Sequence, residues 1–345
     1  MLRAVQNLEK AKTVLEWGHP HQAQKILQEG LRDRRLPKNL CGLFHQALGE
    51  SQAHRGRWRQ ALSHYQTSMT HLISDPPAWV ESSLAVIGCH RVLGEFGRME
   101  KWIQKTDAVI HKEKLHAYSS SLQLEKALLW RLKGKPKQCL RELRRLLLLC
   151  HNEKNRPKTA HVLWAIGGTH RALGDYPKAE QSFRDAAGLY RRLRDPHGYA
   201  YALCGMAGVL RLQGKPRACA QNYEKAGDLL KKSADEFGLA YSHCGCGNAL
   251  RHLGRPGEAL KRYQLSEKIY RRIGDQVDLA YVWWGMARAH QALAEEKKAE
   301  RLYKKASTIF KRYGEKRGEK LCRIAVQTLH RSFSGKLPDQ LEIFA

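Results

Sequence analysis

The chain has 345 residues, with 42% hydrophobic and 27% charged content, and so has enough apolar material for a folded protein. Its 61 Lys and Arg against 33 Asp and Glu give a net charge of +28, which favours anionic partners: acidic protein segments, nucleic acid or anionic lipid heads. Nine cysteines do not read as a disulfide framework, and reduced thiols are the expectation.

The opening stretch MLRAVQNLEKAKTVLEWG alternates apolar and charged residues at helical spacing, without a signal-peptide core. No run approaches the roughly 18 apolar residues of a membrane span. The longest greasy run, Leu143–Cys150, is short and flanked by arginine. A cytoplasmic location with no transmembrane segment is therefore expected.

The rest of the chain repeats itself. Segments beginning at His161, Tyr201, Tyr241 and Tyr281 align without a gap at a spacing of 40 residues. Gly174, Gly214 and Gly254 share a column that Ala294 completes, and Phe183, Tyr223, Tyr263 and Tyr303 share another. Weaker copies run toward the start, marked by Gly134, Gly94, Gly56 and Gly18. The units lie near 1–37, 38–78, 79–116, 117–156, 157–196, 197–236, 237–276 and 277–316, followed by a capping helix at 317–334 and a tail at 335–345. Each unit reads as two helices broken at its glycine, with proline opening the second helix in several units. Asp195, Asp235 and Asp275 stand where they can cap the next helix. The predicted fold is all-α, about eight helix pairs in a right-handed α-solenoid, in which a polar terminal helix covers the last apolar face.

The sets Gly167, Ala179, Phe183, Ala186 and Gly247, Ala259, Tyr263, Ser266 resemble the tetratricopeptide repeat motif, and the 40-residue period is similar to that of LGN-type adaptors. The family's early Trp is displaced by one position at Trp164 and Trp284. The acidic-glutamine motif that follows the repeats of LGN-type proteins does not occur in SGKLPDQLEIFA, so their biological role is not carried over. The resemblance implies a single superhelix over 1–334 whose first helices line a concave groove.

On those helices, positions i, i+3, i+7 and i+10 share a face. Arg91, Arg131, Arg171, Arg211 and Arg251 recur there every 40 residues. With packed helices about 8–10 Å apart, such a ladder could follow an extended anionic ligand, since guanidinium forks suit carboxylates and phosphates. The alternative pairs each arginine with an acid such as Glu180 or Glu258, or with a helix C-terminus. Tyr201, Tyr241 and Tyr281, extended by His161, form a second ladder. Trp164, Trp284, Asn248 and Arg288 complete the candidate groove, and Gly205, Gly245 and Gly285 are expected to leave pockets beside it. Packing between helices is the alternative for the tyrosines. The dibasic pairs near the ends of the second helices suit the helix dipole.

Tyr241–Gly254, YSHCGCGNALRHLG, carries two cysteines and two histidines. Cys244 and Cys246 at i and i+2 point to different sides of a helix, and Cys246 shares a column with Met206 and Met286, which is a packing column. No metal and no cofactor are expected. Seventeen histidines are scattered, and no nucleotide loop, nucleophile elbow or zincin motif is present. The expected function is a non-catalytic scaffold binding an extended acidic or C-terminal segment of a partner protein. The alternatives are RNA or single-stranded nucleic-acid binding through the same groove, or a regulatory subunit of an enzyme or transcription factor.

Overall fold

The computed structural model describes residues 2–33 and 35–329, and every regular element among them is helical. The helices alternate as first and second members of hairpins. They are α1 (Leu2–Glu16) and α2 (Pro20–Gly30), α3 (Lys38–His54) and α4 (Trp58–His71), α5 (Pro76–Val92) and α6 (Phe96–Lys112). A short 3₁₀ turn (His116–Tyr118) leads into α7 (Ser119–Leu132) and α8 (Pro136–Asn152), then α9 (Arg156–Ala172) and α10 (Tyr176–Arg192). There follow α11 (Pro196–Leu212) and α12 (Pro216–Lys232), α13 (Glu236–His252) and α14 (Pro256–Ile273), α15 (Gln276–Ala292) and α16 (Glu296–Tyr313). A closing helix, α17 (Lys316–Leu329), stands where the capping helix is expected; the remainder of that expected helix and the tail at 335–345 lie outside the described residues.

The column glycines form the turns within hairpins. Gly18, Gly56, Gly94, Gly134, Gly174, Gly214 and Gly254 all have φ between 70° and 79°, the left-handed conformation that ends a helix without a Cβ penalty. Ala294 takes the same conformation at φ 58°, so its Cβ is accommodated at a cost. Side-chain caps start several helices: Asp75, Asn155, Asp175 and Asp275 each accept a hydrogen bond from the backbone N–H three residues on.

The chain divides into two compact bodies, Met1–Pro196 with Lys232–Asp235, and His197–Lys231 with Glu236–Ala345. In the first body the core is a chain of smaller clusters. Phe44 and Leu48 pack with α1 and α2, Tyr65 and Met69 with Val86, and Leu143 and Leu146 with Val162 and Ile166. In the second body one continuous cluster runs from Ala200 to Ala325. Among its large members, Tyr223, Tyr263 and Tyr303 are the motif aromatics of the second helices and Phe310 is the ring that meets the closing helix.

Those aromatics explain the small residues opposite them. A Cβ on Gly247 or on Gly285 would stand 2.7 Å from the Tyr263 ring, so that ring is wedged between two glycines of successive first helices. Tyr223 fills the space beside Gly245 in the same way. The gaps expected to be pockets at Gly245 and Gly285 are therefore filled by core tyrosines, because a glycine on a first helix is the only residue that admits the ring.

Candidate functional site: an arginine face on the first helices

In the first body, α5, α7 and α9 carry Arg91, Arg131 and Arg171 at corresponding positions in their last turns. The three side chains have different surroundings. Arg91 is satisfied by Glu125 of α7: its Nε donates to one carboxylate oxygen at 2.9 Å and an Nη to the other at 3.5 Å. Both side chains are largely shielded, so this pair is stronger than a surface salt bridge. Glu125 occupies the column that holds Ala165, Gly205, Gly245 and Gly285 in later units, and it is an acid on this face that the repeat pattern gives no reason to expect.

Arg131 reaches α9, where its Nη1 donates to the Ala165 carbonyl at 3.3 Å and fills the space beside Gly168. Burial pulls its pKa down to about 10, and the charges of Arg171 and Arg91 add to that, while Glu125 opposes it. Arg171 is half-buried, and its side chain has no hydrogen bond or ion pair with any described residue. The acids that could have taken the arginines are engaged nearby: Glu180 is 2.7 Å from Arg184, and Glu258 accepts from Arg255.

His161 and Trp164 of α9 complete this region, with ring centroids 5.8 Å apart and both half-buried. The His161 pKa is lowered, first by burial and then by the Arg91 charge, with Glu125 opposing. Arg91, Glu125 and His161 thus bring three successive first helices together, and with Arg131 and Arg171 they form a face that holds three arginines against one carboxylate.

The second body carries the remaining candidates. Arg211 is half-buried on α11, and Arg251 on α13 lies with an Nη 3.2 Å from the His252 Nε2. Asn248 accepts a 2.7 Å hydrogen bond from the Tyr263 hydroxyl, which ties it to the core ring. Arg288 stacks over the Trp284 ring at 5.3 Å, and both are buried, Trp284 at 2% exposure. The Trp284 indole N–H has no hydrogen-bond partner among the described residues.

The tyrosine ladder packs against neighbours rather than standing clear. Tyr201 lies edge-on to His197, Tyr241 to Tyr223, and Tyr281 beside Phe310 at 4.7 Å with its hydroxyl on Glu315. Tyr241 remains the most open of them at 37% exposure. Near it, Asp278 is held well above the usual carboxylate range, first by burial and then by Asp275. Cys244 is half-buried and Cys246 buried; desolvation pushes their thiols up to about 12 and about 11, and none of the nine cysteines is in a disulfide. At the ends of second helices, Arg271 is 2.6 Å from Glu267 and Arg272 3.6 Å from Glu236, so this dibasic pair is occupied in ion pairs.

The tetratricopeptide repeat family matches residues 118–192 and 236–312, and over these stretches the chain is built of tetratricopeptide repeats. No curated protein is similar to it in sequence. Among solved structures, it resembles a Rap protein in complex with competence and sporulation factor, at 14% identity and a TM-score of 0.67 over 91% of this chain and 99% of the other. It resembles NprR in complex with its cognate peptide NprX at 13% identity and a TM-score of 0.57, over 79% and 74%. The apo form of RapI gives 11% identity and a TM-score of 0.51, over 95% and 82%. At these identities the likeness is one of fold. No helix among the described residues is long and apolar enough to cross a membrane.

Proposed function

We propose that this chain of tetratricopeptide repeats is a non-catalytic scaffold that holds an extended acidic or C-terminal segment of a partner protein on its arginine-bearing first-helix face. The observation that carries this reading is the pair Arg131 and Arg171: two adjacent half-buried guanidinium groups, beside which the Glu125 carboxylate is taken by Arg91. Such a pair is completed by a carboxylate from outside, through charge-assisted hydrogen bonds. The similar folds include one solved with its cognate peptide, which supports a peptide ligand here. Trp164 and His161 supply a half-buried aromatic surface beside the arginines, where a ligand's side chain gains affinity.

Binding of single-stranded nucleic acid needs open aromatic faces for stacking. The ladder tyrosines are packed against His197, Tyr223 and Phe310, so the acidic-peptide reading is favoured. Nine cysteines without a disulfide suit a reducing compartment such as the cytoplasm.

The test is a pull-down from nuclease-treated lysate followed by mass spectrometry, with wild type compared with Arg131→Ala plus Arg171→Ala. Retention of a small set of proteins by wild type, and their loss in the double variant, is the expected result. Each charge-assisted contact contributes about 1.5–3 kcal/mol, so a synthetic acidic segment from the captured protein should bind the double variant at least about tenfold more weakly. Equal capture by both chains, or capture abolished by nuclease, overturns the reading.

A further inference from the structure

In the second body, two successive first helices bring together four side chains of related chemistry. Asn248 and Arg251 stand three residues apart on α13, and Arg288 and Gln291 three apart on α15, so each pair shares one helix face. The repeat spacing of 40 puts Asn248 in one column with Arg288, and Arg251 in the next with Gln291. Arginine and amide therefore alternate round the four positions. The Tyr263 ring joins the two helices, since it is wedged between Gly247 of α13 and Gly285 of α15. Arg288 is buried, and Asn248, Arg251 and Gln291 are half-buried, so the group is recessed but reaches solvent.

Core tyrosines decide which end of each amide is left for a ligand. The Tyr263 hydroxyl donates to Asn248 Oδ1 at 2.7 Å, and the Tyr303 hydroxyl donates to Gln291 Oε1 at 3.0 Å. The end of each amide turned away from its phenol is then the NH2 donor. Burial raises the Tyr263 pKa, opposed by Arg251, which also hydrogen-bonds this phenol, and by Arg288. Burial raises that of Tyr303 too, opposed by Arg288 and then Arg251. Both guanidinium charges thus reach both phenols, which places the two arginines together beside the pair of rings. Arg288 is braced against the buried Trp284 ring, 5.3 Å from its centroid.

We propose that Asn248, Arg251, Arg288 and Gln291 form a phosphate-binding site that takes the phosphoryl group of a phosphoserine or phosphothreonine in a peptide ligand. The donors select that group. The two oxygens of a carboxylate pair fully with one guanidinium fork. A phosphomonoester brings three acceptor oxygens and about −1.5 to −2 charges at pH 7, enough to engage two forks and the amides at once. A phosphodiester, with a single charge and two free oxygens, matches one fork only. The recessed position strengthens such bonds by excluding water. This ligand rests on the peptide-scaffold reading and adds a phosphorylated residue to it; none of the four side chains belongs to the Arg131 and Arg171 pair.

The probes are terminally blocked peptides Gly-Gly-X-Gly-Gly with a neutral fluorophore, in which X is phosphoserine, glutamate or serine. Each is titrated with the full chain in about 0.15 M salt and read by fluorescence anisotropy. The phosphoserine peptide should bind at least about tenfold more tightly than the glutamate peptide, the worth of one further charge-assisted bond. The serine peptide should show no binding. Inorganic phosphate should displace the phosphoserine peptide, and acetate at equal ionic strength should not. Arg251→Gln and Gln291→Glu should each weaken its binding by at least about tenfold. Gln291→Glu keeps an oxygen to accept from Tyr303, so the core contact survives and only the outward donor is lost. Lys268→Ala makes the same change in net charge on the exposed surface of α14 and should leave binding intact. Equal affinity for the phosphoserine and glutamate peptides overturns the proposal without recourse to any variant. So does unchanged phosphoserine binding in Gln291→Glu. The probes contain no partner sequence, so these outcomes are independent of the pull-down that tests the scaffold reading.

Discussion

The guanidinium of Arg131 occupies the space that a Cβ on Gly168 would need, so a residue of α7 and a residue of α9 fix each other's identity. The contact holds Arg131 against the Ala165 carbonyl and beside Arg171. Gly168→Ala should push the guanidinium off this seat while leaving every charge in place. The expected outcome is weaker binding of an acidic peptide by several-fold at unchanged net charge, measured by fluorescence anisotropy. Thermal unfolding of the same variant should shift little, because the displaced group is the far end of a flexible side chain.

Glu125 gives a prediction in which stability and binding move in opposite directions. Its carboxylate neutralises Arg91, and replacing it leaves three positive side chains on one face. Glu125→Gln should destabilise the chain by about 1–3 kcal/mol, the cost of leaving a shielded charge-assisted bond unmade. The same variant should bind an acidic peptide more tightly, since Arg91 becomes available to it. Urea unfolding and peptide titration on the one protein check both signs. Weaker peptide binding would mean that Glu125 itself contacts the ligand.

Much of this was legible from sequence, and the reasons are physical. A glycine every 40 residues marks a left-handed turn, and the aromatic columns mark rings that must be buried, so hairpins and core follow from periodicity alone. Periodicity also put the arginines on the first helices. It could not show that Arg91 is neutralised while Arg171 is not, because the deciding acid, Glu125, breaks its own column and lies 34 residues from Arg91. Nor could it show that the space beside Gly245 and Gly285 belongs to Tyr223 and Tyr263, since ring placement depends on how second helices lean against first ones.

Acid should erode stability through the buried histidines. His161 and His170 both have folded pKa values below the ordinary value of about 6.5, each through burial first. Beside His161 stand Arg91, which opposes a proton, and Glu125, which favours one. In the window below about 6.5 the unfolded chain binds protons that the folded chain refuses, so stability rises with pH there. This contribution is complete above about pH 6.5 and shrinks as pH falls toward the folded values. Denaturant midpoints at pH 7.5 and 5.5 should therefore differ, with the lower pH weaker. His161→Gln should reduce that difference, and a difference identical to wild type would remove His161 from the account.

The turn at Ala294 supplies the last test. Seven hairpin turns place glycine at this position, and here an alanine holds φ 58°. A left-handed residue with a Cβ costs about 1–2 kcal/mol relative to glycine, offset in part by the greater freedom that glycine has in the unfolded chain. Ala294→Gly should therefore stabilise the α15–α16 hairpin by about 1 kcal/mol, although glycine is normally a destabilising choice. The reverse change at an equivalent turn, Gly254→Ala at φ 71°, should destabilise by a similar amount. Because repeats open locally, hydrogen exchange of the α15–α16 amides is the sharper readout than a global melt. Protection there should rise in Ala294→Gly, and that in α13–α14 should fall in Gly254→Ala. Equal protection in wild type and Ala294→Gly would show that the turn relaxes without strain.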